Sequence, residues 1–278
     1  MVFLNGEFVE KNQAFVSVMD RGFLFGDGVY EVIPVYQGKI FRLSEHLLRL
    51  QNSLDSIQVL NPYSDLQWQE ILLKLTNASP QANQSIYLQV TRGADSSRKH
   101  SFDKLTPTVF VETTPLSPRS KPDLKNGFSA IIQADFRWER CDIKATSLLA
   151  NTMYSQQAKQ AQVEEVILHR NNTITEGATS NVFIVKNSTL FTHPTGNHIL
   201  SGITRDLVIE SAKHCNLTIK EYAVTTDELL SADEVWISSS TREVMPITKI
   251  DNQLINNGKI GQYWSQVYNH YQTLKHAS

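Results

Sequence analysis

The stretch Thr175-Glu176-Gly177-Ala178-Thr179-Ser180-Asn181 sets a carboxylate against a glycine where two β-strands should meet. Alone, such a Glu reads as a solvated turn residue. The rest of the chain gives it company. Lys144 stands at a strand-to-helix junction, Arg49 on an early helix, and hydroxyl-rich turns occur at Gly202-Ile203-Thr204 and Ser238-Ser239-Ser240-Thr241. A lysine amine, a carboxylate and a multi-point phosphate cradle are what pyridoxal phosphate requires of a protein. Gly202-Ile203-Thr204 opens a helix, so backbone N–H groups and a hydroxyl face an anion where the helix dipole favours one. Ser239 and Ser240 end a strand and add donors, and Arg49 supplies a full positive charge with a fork of hydrogen bonds. The bland alternatives are a simple loop for the two serines and a surface salt bridge for Arg49.

These residues need elements to hold them. Val2 to Leu4 and Phe8 to Glu10 flank Asn5-Gly6 as a hairpin, and Val29 to Tyr36 and Lys39 to Leu43 flank Gln37-Gly38 as a second. Ser44 is the expected N-cap of a helix carrying Leu47, Leu48, Leu50 and Leu54, and Ser64-Asp65-Leu66-Gln67 has capping-box spacing for another. Strands at Ile86 to Arg92 and Thr108 to Thr113 complete a small α+β unit. Thr114 to Pro122 then holds three prolines and almost no large apolar side chain, the composition of a linker. Beyond it come a strand at Phe128 to Ala134 and a helix from about Thr146 to Ala161. A meander follows through Val166 to His169, Thr173 to Thr175, Val182 to Val185 and Leu190 to Thr192. A helix over Thr204 to His214, a strand over Asp233 to Ser239 and an amphipathic tail after Ile260 close the chain. Strands and helices cluster and do not alternate, which favours α+β over a parallel doubly wound sheet. No Gly-x-Gly-x-x-Gly follows a strand, so a dinucleotide fold is not expected.

The 278 residues, 41% hydrophobic and 19% charged with a formal net charge of −2, describe an ordinary globular protein with small-molecule ligands, and give no reason to expect nucleic acid or membrane as partner. Two cysteines make neither a disulfide framework nor a metal cluster, His169, His193 and His198 lack metal spacing, and the amino terminus lacks a signal pattern. A cytoplasmic location is expected.

Asp20-Arg-Gly-Phe-Leu-Phe-Gly-Asp-Gly-Val-Tyr-Glu31, the Lys144 region, Thr-Glu-Gly-x-x-Ser-Asn and Gly202-Ile203-Thr204-Arg205 occur in this order over nearly the whole chain. Together they resemble the fold-type IV pyridoxal phosphate enzymes, and within them most closely the D-amino-acid aminotransferases. The resemblance implies a smaller N-terminal α+β domain over 1–114, a linker over 115–122, and a larger cofactor-binding domain with a mixed, barrel-like sheet over 123–278. It makes Lys144 the Schiff-base residue, sets Glu176 against the pyridine nitrogen where a carboxylate keeps the ring protonated, and packs Leu200 behind the ring. Ile203, Thr204, Ser239, Ser240 and Arg49 take the phosphate. Arg98 and His100, with Tyr30, trap the substrate carboxylate in the neighbouring subunit's site, so a homodimer is implied. Family members often carry Asn three residues after the lysine, where this chain has Ser147. A branched-chain L-amino-acid aminotransferase and a 4-amino-4-deoxychorismate lyase share the fold and most of the cofactor shell, but the Arg98-Lys99-His100 loop resembles the D-specific trap. A cofactor-binding protein without turnover is the reading from another class, and an intact Lys144 argues against it.

Overall fold

The computed structural model describes residues 1–117, 119 and 124–277. The chain divides into two compact units, Met1–Ser117 with Ile143–Leu148, and Pro118–Asp142 with Leu149–Ala277. Of the expected linker, Pro115 closes a strand, and Pro118, Ser120, Lys121 and Pro122 lie outside the described residues.

In the first unit, β1 (Val2–Leu4) and β2 (Glu7–Val9) form the hairpin across Asn5-Gly6. They are followed by α1 (Arg21–Phe25), β3 (Gly28–Tyr36), β4 (Lys39–Ile40), α2 (Leu43–Ser56), α3 (Asp65–Ala78), β5 (Gln84–Thr91) and β6 (Thr108–Pro115). The six strands form one antiparallel sheet in the order β2-β1-β6-β5-β3-β4. Its buried face repeats every second residue: Val29, Ile33 and Val35, then Ile86, Leu88 and Val90, then Val109 and Val111. Leu47, Leu50 and Leu54 of α2 and Trp68, Leu72 and Leu75 of α3 pack on it at helical spacing, while Leu48 stays exposed. The capping box of α3 forms as expected, with Ser64 and Gln67 satisfying each other's N–H groups. The start of α2 differs from the sequence expectation. Arg42, not Ser44, is the N-cap, in the left-handed region at φ 53° and without a side-chain cap bond.

The second unit holds β7 (Phe128–Ala134), α4 (Leu149–Gln160), β8 (Glu165–Arg170), β9 (Thr173–Gly177), β10 (Asn181–Lys186) and β11 (Thr189–Thr192). Then come α5 (Ile203–His214), β12 (Thr218–Glu221), α6 (Thr226–Leu230), β13 (Glu234–Ser239), β14 (Glu243–Ile250), β15 (Gln253–Leu254) and α7 (Gln262–Ala277). The nine strands make one mixed sheet, β12-β11-β10-β13-β14-β7-β8-β9 with β15 on β14, and β7 runs parallel to both β8 and β14. Between β10 and β9 the path runs through four other strands, yet Ala178 to Ser180 alone separate the two in sequence, so the sheet must curl round to bring them together. Thus α+β architecture with a curled, barrel-like second sheet is what the chain adopts. Among the described residues no helix is long and apolar enough to cross a membrane, and no group of three or more His, Cys, Asp or Glu side chains could hold a metal.

Candidate active site

Lys144 lies between β7 and α4, five residues before the helix, at the centre of a tight turn in which Ala145 N donates to Ile143 O at 2.8 Å, and the helix starts at Leu149, later than the expected Thr146. Ile143 and Ala145 on either side of it are buried in the core of the first unit. Lys144 itself is half-buried and is not part of that core. The segment docks on the start of β3, where β4 does not reach: Tyr30 N donates to Lys144 O at 2.9 Å, Thr146 N to Gly28 O at 2.9 Å, and Ala145 bridges Val29. Gly26, left-handed at φ 66° and closing α1, receives the Thr146 and Ser147 hydroxyls on its carbonyl, each at 2.9 Å. Ser147 therefore helps to hold the lysine segment. The Lys144 ammonium sits 4.1 Å from the centre of the Tyr30 ring, and among the described residues it forms no ion pair.

Arg49 is engaged by a buried carboxylate. Its Nε and one terminal nitrogen each donate to Glu31 at 2.8 Å, and His46 Nδ1 lies 2.8 Å from the same carboxylate. Burial alone would raise the Glu31 pKa, but the charge and hydrogen bonds of Arg49, with His46, hold it well below the ordinary value. Burial pushes His46 down, against the pull of Glu31, and Lys144 adds to that push. Arg49 thus reaches its place as one arm of a fixed pair.

Arg98 and His100 are exposed on the loop between β5 and β6, and both lie against Phe25: the Arg98 guanidinium at 4.9 Å from the ring centre, the His100 ring at 5.5 Å. Tyr30 faces another part of this unit, 5.7 Å from Tyr87.

Glu176 belongs to the second unit, where the register brings it into position. Ile167 pairs with Gly177 and His169 with Ile174, so Thr175 and Glu176 together oppose Leu168 in a β-bulge. Glu176 is 4% exposed, not a solvated turn residue, and its carboxylate is partnered: Arg137 donates to Oε1 at 2.6 Å, Leu200 N to Oε2 at 3.0 Å and Asn181 Nδ2 to Oε2 at 3.2 Å. Arg137 is itself held by Asp135, whose fully buried carboxylate also takes Arg170 and Thr175. Burial outweighs these contacts at Glu176 and pushes its carboxyl up to about 7. At Asp135 burial also raises the pKa, but the two arginines win and hold it below the ordinary value. A buried acid so poised can meet a further cationic N–H group.

Asn181 joins the motif to the helix N-terminus. Its amide donates to Leu200 O at 2.8 Å, and a Cβ on Gly202 would lie 2.1 Å from its Oδ1, so only glycine fits as the N-cap of α5. Gly202 has no side-chain cap bond, and Ile203 and Thr204, both buried, begin the helix behind it. Ser239 ends β13 and Ser240 follows in the turn. Ser239 Oγ accepts from Arg242 at 3.3 Å, and Arg242 reaches Glu165 at 2.6 Å and Thr179 at 2.7 Å, while Ser180 also donates to Glu165 at 2.7 Å. The Thr179-Ser180-Asn181 half of the motif is thereby tied to both hydroxyl-rich turns. Within the second unit, the acid with a raised pKa at Glu176 and the helix N-terminus at Gly202, joined through Asn181 and Leu200, suit the ring nitrogen and the phosphate of pyridoxal phosphate. Arg137, Asp135, Arg242 and Glu165 were not singled out in the sequence. They act through pairings 39 or more residues apart, or through a buried charge that no local pattern marks.

The amino-transferase class IV family model matches residues 28–250. The chain belongs to this family, whose members depend on pyridoxal phosphate. It is 44% identical to a D-alanine aminotransferase of Bacillus licheniformis over 94% of this chain and 92% of that protein. A D-alanine aminotransferase of Listeria innocua is 42% identical, over 97% of this chain and 94% of its own. In structure the chain is similar to the branched-chain amino acid aminotransferase of Escherichia coli, with a TM-score of 0.91 and 25% identity over 98% of this chain and 93% of that one.

Proposed function

We propose that this chain moves the amino group of a D-amino acid, D-alanine first among them, to a 2-oxo acid such as 2-oxoglutarate. The observation that carries the reading is the likeness, over nearly the whole chain, to D-alanine aminotransferases at 42–44% identity. It exceeds the 25% shared with the branched-chain enzyme, whose fold is the same.

When bound, pyridoxal phosphate supplies an aldehyde that takes up an amino group and a ring that draws electrons from the substrate Cα. Lys144 would hold it through Nζ and, once the substrate amine has taken that place, carry the proton away from Cα. Glu176 would face the ring nitrogen and Leu200 the ring. Ile203, Thr204, Ser239, Ser240 and Arg49 would take the phosphate, with Arg49 kept in place by Glu31. Arg98 and His100, with Tyr30, would bind the substrate carboxylate, the first two in the site of a neighbouring subunit in a homodimer. Their exposure on a loop supports that reading. In this reading the domains are 1–114 and 123–278 around a linker at 115–122, with Ile143–Leu148 packing as part of the first compact unit, in a cytoplasmic enzyme.

The test is the purified protein's yellow colour. D-Alanine should bleach it and 2-oxoglutarate restore it, giving ping-pong kinetics. Preference for L-leucine or L-valine would move the chain to the branched-chain class, and retention of colour with every amino acid would leave a binding protein without turnover.

A further inference from the structure

Arg21 is a buried cation, 4% exposed, that none of the roles above uses. Its guanidinium holds the backbone of the Arg98 to His100 loop. One terminal nitrogen donates to Lys99 O at 2.7 Å and Ser101 O at 3.5 Å, and the other to His100 O at 3.0 Å. The third nitrogen, Nε, donates to Asp27 at 2.8 Å.

Asp27 is fixed from the other side. Arg92 reaches its two oxygens at 2.7 and 2.9 Å, and gives further bonds to Ile57 O at 2.7 Å and Gln58 O at 3.3 Å, just beyond α2. A chain of charge-assisted bonds therefore runs from the end of α2 through Arg92, Asp27 and Arg21 to three consecutive carbonyls of the loop. The same unit adds an aromatic platform. Phe25 lies 4.8 Å from the Arg21 guanidinium and 4.9 Å from that of Arg98, and Phe102 lies 3.6 Å from that of Arg92. Asp27 also stands between Gly26 and Gly28, whose carbonyls receive Thr146 and Ser147 of the lysine segment.

An exposed loop carrying two substrate-binding side chains would lose much of its binding energy if it had to be ordered at each encounter. A planar fork clamped on its backbone removes that cost without touching substrate. We propose that Arg21 is a positioning residue, held by Asp27 and Arg92, that fixes the 99–101 backbone so that Arg98 and His100 are presented ready to bind a carboxylate. The inference rests on the carboxylate-binding reading of Arg98 and His100.

The experiment is a mutant cycle on the holoenzyme with D-alanine as substrate. Arg21→Lys keeps a positive charge beside Asp27 but cannot span three carbonyls. It should raise KM about tenfold or more, the size of one lost charge-assisted bond, with kcat changed less than about threefold and the cofactor's absorbance retained. Asp27→Asn, which loosens Arg21 from behind, should raise KM in the same direction by a smaller factor. In an Arg98→Ala/His100→Ala background, Arg21→Lys should then change KM less than about twofold, because its effect runs through the loop. Unchanged KM in both Arg21→Lys and Asp27→Asn would overturn the proposal while leaving the carboxylate trap intact. So would an equal effect of Arg21→Lys in both backgrounds, or loss of cofactor and kcat in step with KM. If Arg98→Ala/His100→Ala itself leaves KM unchanged, the trap reading falls and the proposal with it.

Discussion

Arg137 and Glu176 form a 2.6 Å ion pair in which the two partners are unequally served. Arg137 also has Asp135 at 2.9 Å, whereas Glu176 completes its shell with the neutral donors Leu200 N and Asn181 Nδ2. The arginine is secure and the glutamate keeps a need for positive charge.

That imbalance sets a pH dependence. Burial raises the Glu176 pKa from 4.5 to about 7, so the folded protein binds a proton there that the unfolded chain has lost. Stability of the cofactor-stripped protein should therefore be full below about pH 4.5 with respect to this group and fall through the window up to about pH 7, by roughly 3 kcal/mol. Asp27, Glu31 and Asp135 have lowered values and act in the opposite sense, at more acid pH. Glu176→Gln isolates the one group. Denaturant unfolding of both stripped proteins at pH 5 and pH 8 should show the difference between them shifting toward the variant. A constant difference would mean that Glu176 is charged throughout.

Gly202→Ala places a methyl 2.1 Å from Asn181 Oδ1 and must push that amide off Leu200 and Glu176. We expect cofactor affinity to fall at least tenfold, since the N–H groups of α5 move with it, and stability to drop by about 1–3 kcal/mol from overpacking. Titration of the stripped protein with pyridoxal phosphate, followed by absorbance, measures the first. Affinity within twofold of the unaltered protein would show that the phosphate sits elsewhere.

The sequence made these elements visible to unequal degrees. Gly202-Ile203-Thr204 could be read because a glycine before a helix and a hydroxyl behind it are local signals, and Glu176 because its motif lies within seven residues. The Ser64 capping box was equally local. Arg137 could not be read, since its meaning depends on Glu176, 39 residues away, and Asp135 and Arg137 alone look like a solvated pair. Arg49 could be put on a helix from leucine spacing, but its engagement by Glu31, the carboxylate that His46 also bonds, needs β3 packed beneath α2. The misplaced N-cap has a similar origin. Ser44 matches the preferred residue type, but the hairpin of β3 and β4 brings the chain into the helix at Arg42 through a left-handed turn that no propensity indicates.

Lys144→Ala should abolish transamination and leave the fold in place, because Ile143 and Ala145 supply the core contacts of this segment and Lys144 does not. Loss of the single amine should cost the rate many orders of magnitude. Borohydride treatment of the holoenzyme followed by peptide mapping should leave the cofactor on Lys144, and its recovery on another lysine would refute the assignment.

Arg98 and His100 should decide which hand of substrate is accepted. With the carboxylate fixed on one side and the amine held by the cofactor, one enantiomer alone can turn its Cα–H bond toward Lys144. Arg98→Ala should therefore weaken kcat/KM for D-alanine by about 1.5–3 kcal/mol, the loss of a charge-assisted hydrogen bond, with cofactor retention normal. His100→Ala should do less, since imidazole carries no obligatory charge. Rates with D-alanine and with L-alanine separate two effects: a fall for the D-form alone marks carboxylate binding, and an equal fall for both marks general damage to the loop. An Arg98→Ala enzyme with unaltered D-alanine kinetics would place the carboxylate on other donors.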